Sequence, residues 1–150
     1  MKELDSSIIK AFRERGYKAT PQRIAISRFV LHNHTHPTAQ RIYSEVKKVY
    51  PTVSLATIYK TIQILEEVGL IQELNLPKDQ TRFDPKMEPH AHLICLQCKK
   101  IIDWINPLIS QIIDRASIEA GFIAAGQNFD IFGVCLDCNR NAKTVTPKRQ

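Results

Sequence analysis

The chain has 150 residues, of which 43% are apolar and 7% aromatic, so its composition excludes an intrinsically disordered protein. No segment approaches the length of a membrane span, and residues 1–10 lack the apolar run of a signal peptide. We therefore expect one domain or two small ones in the cytoplasm, where cysteine thiols stay reduced.

The net charge of +6 is unevenly distributed along the chain. Residues 1–76 contain eleven basic and seven acidic side chains, whereas residues 77–138 contain six basic and eight acidic ones. A basic first half followed by a mildly acidic second half indicates an anionic partner for the first half. Nucleic acid is the usual partner of this kind.

The first half predicts four helices. Apolar spacing indicates a helix over residues 4–15. Thr20, Thr38 and Ser54 are capping residues that predict the starts of three more helices, which end at Leu31, at Pro51 and before Gly69. The expected buried stripes of the third and fourth helices comprise Ile42, Val46, Val49, Leu55, Ile58, Ile62 and Leu65.

After these helices the period of the apolar residues changes to that of strands. "LIQELNL" (70–76) and "TRFDP" (81–85) predict two short strands joined by the turn "PKDQ" (77–80). Helices followed by a hairpin predict a winged helix-turn-helix domain over residues 1–84, with the hairpin as the wing. The linker-like composition around residues 85–89 predicts a hinge.

The second half predicts a small α/β domain over residues 90–138, so that the whole chain falls in the α+β class. Residues 92–105 and 128–135 are strand-like, and Asn106 and Pro107 open a helix between them that ends at Gly121. Its expected apolar side comprises Leu108, Ile109, Ile112, Ile113 and Ala116. Residues 139–150 form a basic tail that we expect to be disordered.

All four cysteines lie in this second half, in two C-x-x-C pairs separated by 36 residues. A two-residue gap lets both thiolates of a pair face one ion, and two pairs complete a tetrahedral S4 shell. The alternatives are buried free thiols or a redox pair. We therefore predict a closed, structural zinc site on Cys95, Cys98, Cys135 and Cys138.

Two histidines beside the first cysteine pair point to a second metal site. His90 and His92 alternate along a predicted strand and so share one face. Asp84 and Asp103 are nearby carboxylates, although each could instead cap a turn or face solvent. Spacing alone does not distinguish the three loop histidines His32, His34 and His36 as a further ligand. A mixed nitrogen and oxygen shell suits Fe(II), Mn(II) or Zn(II) rather than Cu(I).

The fourth predicted helix has a polar outer side made of Thr57, Tyr59, Lys60 and Gln63. The ring of Tyr59 can contact a thymine methyl group, and Lys60 or Gln63 can reach base edges or phosphates. Solvated surface charge is the alternative explanation for Lys60, as it is for Lys18 and Arg23.

Taken together, the motifs resemble the ferric uptake regulator family of bacterial metal-dependent repressors. The resemblance covers most of the chain. It is carried by "GYKATPQR" (16–23), "HPTAQRIY" (36–43), "SLATIYKTIQILEEVGLI" (54–71), "TRFD" (81–84), "HAHLICLQC" (90–98), "IIDW" (101–104) and "FGVCLDC" (132–138). It implies a winged-helix DNA-binding domain, a hinge and an α/β domain through which two copies form a homodimer.

The resemblance also implies the ligands of two metal ions. Structural zinc falls on the four cysteines, and a regulatory ion falls on His36, Asp84, His90, His92 and Asp103. It thereby selects His36 among the loop histidines. A further metal site of some members is expected to be absent, because its positions hold Pro89, Ala91, Gln111 and Gln127. Lys18 falls where the family probes an A/T-rich minor groove, and Arg23 is a second candidate DNA contact.

An aspartate at position 103 resembles the peroxide-sensing branch of the family, whereas iron sensors more often carry glutamate there. In that branch Fe(II) or Mn(II) is the corepressor, and oxidation of a ligand, here His36 or His90, releases the repressor. The zinc-sensing branch uses an extra cysteine that this chain lacks. The expected partner is a palindromic, A/T-rich operator in double-stranded DNA.

Two other classes of function are compatible with parts of the sequence. Non-haem iron oxygenases also use two histidines and a carboxylate, but five protein ligands leave little room for oxygen and substrate. A zinc-stabilised protein-interaction module would show no salt-dependent affinity for DNA. We expect a repressor because an ion bound from both sides of the hinge fixes the spacing of two recognition helices in a dimer.

Overall fold

The computed structural model describes residues 2–76 and 80–141. They divide into two compact units that meet in sequence between Met87 and Glu88. The mixed helix and strand content confirms the expected α+β class. In chain order the elements are α1 (Lys2–Glu14), α2 (Pro21–Leu31), α3 (Ala39–Val46), α4 (Leu55–Glu67), β1 (Gln72–Leu76), β2 (Gln80–Asp84), β3 (Ala91–Cys95), β4 (Ile101–Trp104), α5 (Pro107–Ala120), β5 (Asp130–Gly133) and α6 (Leu136–Asn141).

Side-chain caps begin α2, α3 and α4 at the residues that the sequence predicts. The hydroxyls of Thr20, Thr38 and Ser54 each accept a hydrogen bond from the backbone N–H three residues later. Such a cap satisfies one of the N–H groups that a helix start leaves without an intrahelical acceptor. The start of α4, which carries the candidate DNA contacts, is therefore fixed by its own sequence.

The core of the first unit is made by its four helices together with Val53, Ile71 and Phe83, of which Phe83 lies in β2. Its buried apolar residues are Ile8, Phe12, Ile26, Val30, Ala39, Ile42, Val46, Val53, Ile58, Ile62, Ile64, Leu65, Ile71 and Phe83. Two residues of the expected stripes do not belong to it. Helix α3 ends at Val46 instead of continuing to Pro51, so Val49 lies in a turn and is 73% exposed. Leu55, at the first position of α4, is 37% exposed.

Strands β1 and β2 pair antiparallel as the predicted wing, with Gln72 opposite Asp84 and Leu76 opposite Gln80. The predicted turn lies mostly outside the described residues, since residues 77–79 are not described and Gln80 already belongs to β2. The pairing places the last residue of β2, Asp84, beside the first residue of β1.

The second unit contains a three-stranded sheet in the order β4–β3–β5. Strand β3 pairs antiparallel with β4 and parallel with β5. The prediction of one strand over residues 92–105 was wrong, because a turn at residues 96–98 divides this segment into β3 and β4. The prediction of disorder from residue 139 was also wrong at its start, since α6 extends to Asn141; residues 142–150 lie outside the described part.

Helix α5 has the predicted ends, with Asn106 as its N-cap and Gly121 in the left-handed conformation (φ 61°) at its C-cap. Its expected apolar side is not buried as a whole, however. Only Ile109 is buried, whereas Leu108 and Ile112 are 52% and 51% exposed and Ala116 is also exposed.

Exposure of apolar side chains is a general property of the described second unit. Its buried apolar residues are Ala91, Ile94, Cys95 and Ile109. Trp104, Ile131 and Phe132, by contrast, are between 40% and 54% exposed on the sheet strands. Such a surface is typical of a unit whose apolar side chains are covered by another protein chain. None of the described helices has both the length and the apolar character needed to cross a membrane.

Candidate metal centres and nucleic-acid interface

The four cysteines are brought together at one end of the sheet of the second unit. Cys95 ends β3, and its register opposite Gly133 of β5 places Cys135 just beyond the sheet. The four sulfur atoms lie within 4.8 Å of one another, and Sγ of Cys98 is 3.7 Å from Sγ of Cys135. A tetrahedral Zn²⁺ with bonds of about 2.3 Å separates its sulfur ligands by about 3.8 Å, so the cysteines fit this ion.

The ionisation of these thiols also favours a cation. The backbone N–H of Cys135 donates to Sγ of Cys95 at 3.3 Å, and this contact, with a smaller contribution from the N–H of Cys98, lowers the pKa of Cys95 to about 6. The neighbouring thiols of Cys135 and Cys98 raise the pKa of Cys138 to about 12. Four thiolates at this separation repel one another, and a bound divalent cation removes that penalty.

A second cluster in the same unit consists of His90, His92 and Asp103. Antiparallel pairing of β3 and β4 places Asp103 directly opposite His92. One nitrogen or oxygen atom from each of the three side chains lies within 4.8 Å of the others. The histidines are 3% and 2% exposed, and their ring centroids are 4.5 Å apart. Buried imidazoles beside a carboxylate are a donor set for Fe(II), Mn(II) or Zn(II).

Hydrogen bonds orient both rings of this cluster. Nδ1 of His90 is 2.7 Å from the carbonyl oxygen of Glu88, and Nδ1 of His92 is 3.2 Å from Oδ1 of Asp130. Both partners are acceptors, and such contacts favour the tautomer with the proton on Nδ1 and the lone pair on Nε2. Asp130 belongs to no motif in the sequence, because only the parallel pairing of β3 with β5 places it opposite His92.

In the first unit, His36 and Asp84 form a buried pair. Both are 1% exposed, and Nε2 of His36 is 3.6 Å from Oδ1 of Asp84. His32 and His34, the other candidates in the same loop, are exposed. His36 adopts a left-handed backbone conformation (φ 51°), which is uncommon for a residue other than glycine and is often found at functional sites.

The surrounding residues hold this pair in place. The backbone N–H of Phe83 donates to the carbonyl of Pro37 at 3.2 Å and so ties the loop of His36 to β2. Nε2 of Gln72 and the backbone N–H of Lys86 donate to the carboxylate of Asp84 at 2.8 and 2.9 Å. Gln72 was not found by sequence reasoning, since its role depends on the β1–β2 register.

The candidate DNA contacts on α4 differ in the exposure of their side chains and in the hydrogen bonds that those side chains already make. Tyr59 is 48% exposed, and Lys60 and Gln63 are exposed with a hydrogen bond of 3.1 Å between their side chains. The hydroxyl of Thr57 is 2.9 Å from that of the cap Ser54, so it takes part in the helix start.

Lys18 and Arg23 lie at the entrance to α2. The side chain of Lys18 is exposed, whereas Arg23 is half-buried and its Nη1 donates to the carbonyl oxygen of Lys18 at 2.9 Å. This hydrogen bond from Arg23 helps to fix the backbone conformation at Lys18. Four further N–H donors of the guanidinium group and the whole Lys18 ammonium group keep the basic character that phosphate contacts require.

Comparison with known proteins agrees with this architecture. A relative from Staphylococcus aureus, the peroxide-responsive repressor PerR, is 38% identical over 136 residues, which cover 91% of each chain. The peroxide stress regulator of Campylobacter jejuni shares 29% identity with a TM-score of 0.69, covering 91% of this chain and 97% of the other. The ferric uptake regulator of Helicobacter pylori, at 21% identity, shares the fold with a TM-score of 0.79 and 95% coverage of both chains.

These similarities confirm the resemblance that the sequence motifs indicate. Residues 14–132 match the model of the ferric uptake regulator family, and this range includes the described wing, strands β3 and β4, and the cluster of His90, His92 and Asp103. The match extends over more than half of the chain. The chain therefore belongs to the ferric uptake regulator family.

Proposed function

We propose that this chain is a metal-dependent, DNA-binding transcriptional repressor that responds to peroxide. The observation that carries the proposal is the buried cluster of His90, His92 and Asp103, in which two imidazoles and an aspartate can hold a redox-active divalent ion. The 38% identity to a peroxide-responsive repressor supports the same branch of the family. A regulator of this kind is not an enzyme, since it turns over no organic substrate.

In the proposed mechanism the regulatory ion takes His36 and Asp84 from the first unit and His90, His92 and Asp103 from the second. Residues 85–89 act as the hinge, and ligation from both sides of it restricts the arrangement of the two units. When bound by these residues, Fe(II) would supply one-electron chemistry toward peroxide. In the overall reaction, one oxygen atom of peroxide would pass to the ring of His36 or His90 and the other would leave as water. Oxidation of either ring removes a ligand and releases the repressor from DNA.

The proposed DNA contacts are Lys18, Arg23, Thr57, Tyr59, Lys60 and Gln63. Tyr59, Lys60 and Gln63 offer the most direct contacts because their side chains are exposed on α4, while Arg23 and Thr57 act chiefly by holding the local backbone. A palindromic, A/T-rich duplex is the proposed operator, since a homodimer presents two equivalent recognition helices.

The proposed homodimer forms through the second unit, whose exposed apolar side chains on α5 and the sheet offer a large surface for a second copy. The four cysteines hold the structural zinc, and the cytoplasm is the proposed compartment because it keeps such thiols reduced. Zn²⁺ can also substitute at the regulatory site, because imidazole and carboxylate are good zinc ligands.

The test is a DNA-binding titration of zinc-loaded protein, with an operator first selected from random duplexes by the Mn(II)-loaded form. We expect tight binding with Fe(II) or Mn(II) and weak binding with a chelator. After peroxide, binding should be lost only in the Fe(II) form, with the mass of one added oxygen on a peptide that contains His36 or His90. His36→Ala should lose the metal dependence, and His34→Ala, an exposed neighbour, should retain it.

The outcomes separate the alternatives. Metal-dependent binding that survives peroxide in the Fe(II) form would identify an iron uptake regulator, and a response to Zn²⁺ alone would identify a zinc sensor. DNA affinity that is indifferent to metals and chelators would refute the proposal. Salt-independent or undetectable binding to duplex DNA would instead favour a protein-interaction module, and turnover of an organic substrate would favour a non-haem iron enzyme.

A further inference from the structure

Asp130 lies beside His92, on β5, and Asp103 lies on the other side of His92, on β4. In the register of the sheet, His92 of the central strand is paired with Asp103 on β4 and with Asp130 on β5. The side chain of Asp130 is 14% exposed, and its Oδ1 is 3.2 Å from Nδ1 of His92. Its other oxygen, Oδ2, accepts a hydrogen bond of 3.0 Å from Nδ2 of Asn128. Both oxygens of the carboxylate are therefore oriented.

This contact has two consequences for the ring of His92. An ionised carboxylate is only an acceptor, so it places the ring proton on Nδ1 and the lone pair on Nε2. Its negative charge also increases the basicity of Nε2, as a carboxylate behind a metal-bound histidine does in general. His90 differs from His92 in this respect, because the acceptor of its Nδ1 proton is the neutral carbonyl of Glu88.

We propose that Asp130 is a positioning residue for the regulatory ion: it fixes the tautomer of His92 and strengthens its Nε2 as a ligand without binding the ion itself. This inference rests on the proposed function, since it assigns His92 to the regulatory ion. The two histidines of the cluster are then unequal ligands, and His92 has the more strongly donating Nε2 of the two.

The test uses zinc-loaded protein and the variants Asp130→Ala and Asp130→Asn, with Asp114→Asn as a charge-matched control at an exposed position of α5. The first measurement is the ¹⁵N NMR spectrum of the histidine rings before any regulatory metal is added. We expect His92 to carry its proton on Nδ1 in the wild type and in Asp130→Asn, whose amide oxygen still accepts. In Asp130→Ala the Nε2–H tautomer should become populated.

The second measurement is the dissociation constant for Mn(II). Loss of a partner of this kind weakens metal affinity by about 10- to 100-fold, which we expect for Asp130→Ala, with a smaller loss for Asp130→Asn and none for Asp114→Asn. An unchanged tautomer and affinity in Asp130→Ala would overturn the inference. Equal losses in both variants with an unchanged tautomer would also overturn it, because Asp130 would then be a direct ligand.

These results are distinguishable from a failure of the proposed function. Absence of Mn(II) binding or of metal-dependent DNA binding in the wild type would refute the proposed function itself. A wild type that binds both, together with an Asp130→Ala variant that behaves identically, would refute only the positioning role.

Discussion

Replacement of Cys98 by serine should separate the stabilities of the two units. Cys98 is exposed, so its own burial contributes little, but its sulfur is 3.7 Å from that of Cys135 within the four-cysteine cluster. Serine lacks the thiolate, and Cys98→Ser prepared with a chelator should contain no zinc at this site. The variant therefore measures what the ion contributes to the second unit.

The expected magnitude follows from the buried residues. Of the apolar side chains described in the second unit, the large ones that are buried within the single chain are Ile94 and Ile109. At about 1.5–3 kcal/mol each, they contribute about 3–6 kcal/mol to folding. Binding of a structural Zn²⁺ contributes about 10–16 kcal/mol at neutral pH in small zinc domains. The ion is thus the larger contribution, and the second unit should unfold without it.

The assay uses the single tryptophan of the chain, Trp104, which lies in β4 of the second unit. Cys98→Ser should lose the near-ultraviolet circular dichroism of Trp104, and its emission should match that of the chain in urea. Most of the helical signal should survive, because α1 to α4 belong to the first unit. Gln97→Ser, in the same turn but without a ligand atom, is the matched control and should behave as the wild type. A zinc-free Cys98→Ser protein with a native Trp104 spectrum would refute the reasoning.

Two further predictions concern the first unit. Lys60→Ala should weaken binding to the selected operator and reduce the slope of log affinity against log salt concentration by about one, as loss of one phosphate contact does. Lys10→Ala on α1, the control, should change neither the affinity nor the slope. An unchanged slope in Lys60→Ala would show that Lys60 contacts no phosphate. The hydrogen bond from Arg28 lowers the pKa of Asp5 below its ordinary value of 3.8, so the stabilisation is present above that value and is lost as the pH falls through the lowered pKa. In urea unfolding, Asp5→Asn should therefore have a lower free energy of unfolding than the wild type at pH 6, and the difference should narrow in strong acid. A difference that stays constant across this pH range would contradict the pairing of Asp5 with Arg28.

Local sequence rules were sufficient for the helix starts of the first unit. Thr20, Thr38 and Ser54 cap the helices that they were expected to cap, because a cap involves only residues three positions apart. The end of α3 was predicted too late. Val49 continues the apolar period of that helix, but the chain turns after Val46 and leaves its side chain exposed.

The second unit was harder to predict because its apolar pattern is not a guide to burial. Leu108 and Ile112 share the helical spacing of Ile109, yet only Ile109 is buried in the single chain. Apolar residues that are kept for a second protein chain look the same in sequence as residues of a core. The turn between β3 and β4 was likewise hidden, since Leu96 extends the apolar run but lies outside the strands and is 50% exposed.

For the candidate metal sites, spacing predicted the side chains that the structure brings into clusters but not the residues that contact and orient them. The two C-x-x-C pairs and the H-x-H pair are visible in the sequence. In the structure the four cysteines form one cluster, and His90 and His92 form another with Asp103. Asp130 and Gln72 have no such signal, because each reaches its partner through pairing between strands rather than through a motif.

The parallel pairing of β3 with β5 has a consequence for the order of events during synthesis. Every element of the first unit emerges from the ribosome before β3 does, so this unit can complete its core while translation continues. Strand β3 must wait for β5 and for Cys135 and Cys138, which are made last among the elements of the sheet and the zinc cluster. A chain made only as far as Val134 would thus contain every element of the first unit and all the described strands of the second, but only half of the four-cysteine cluster.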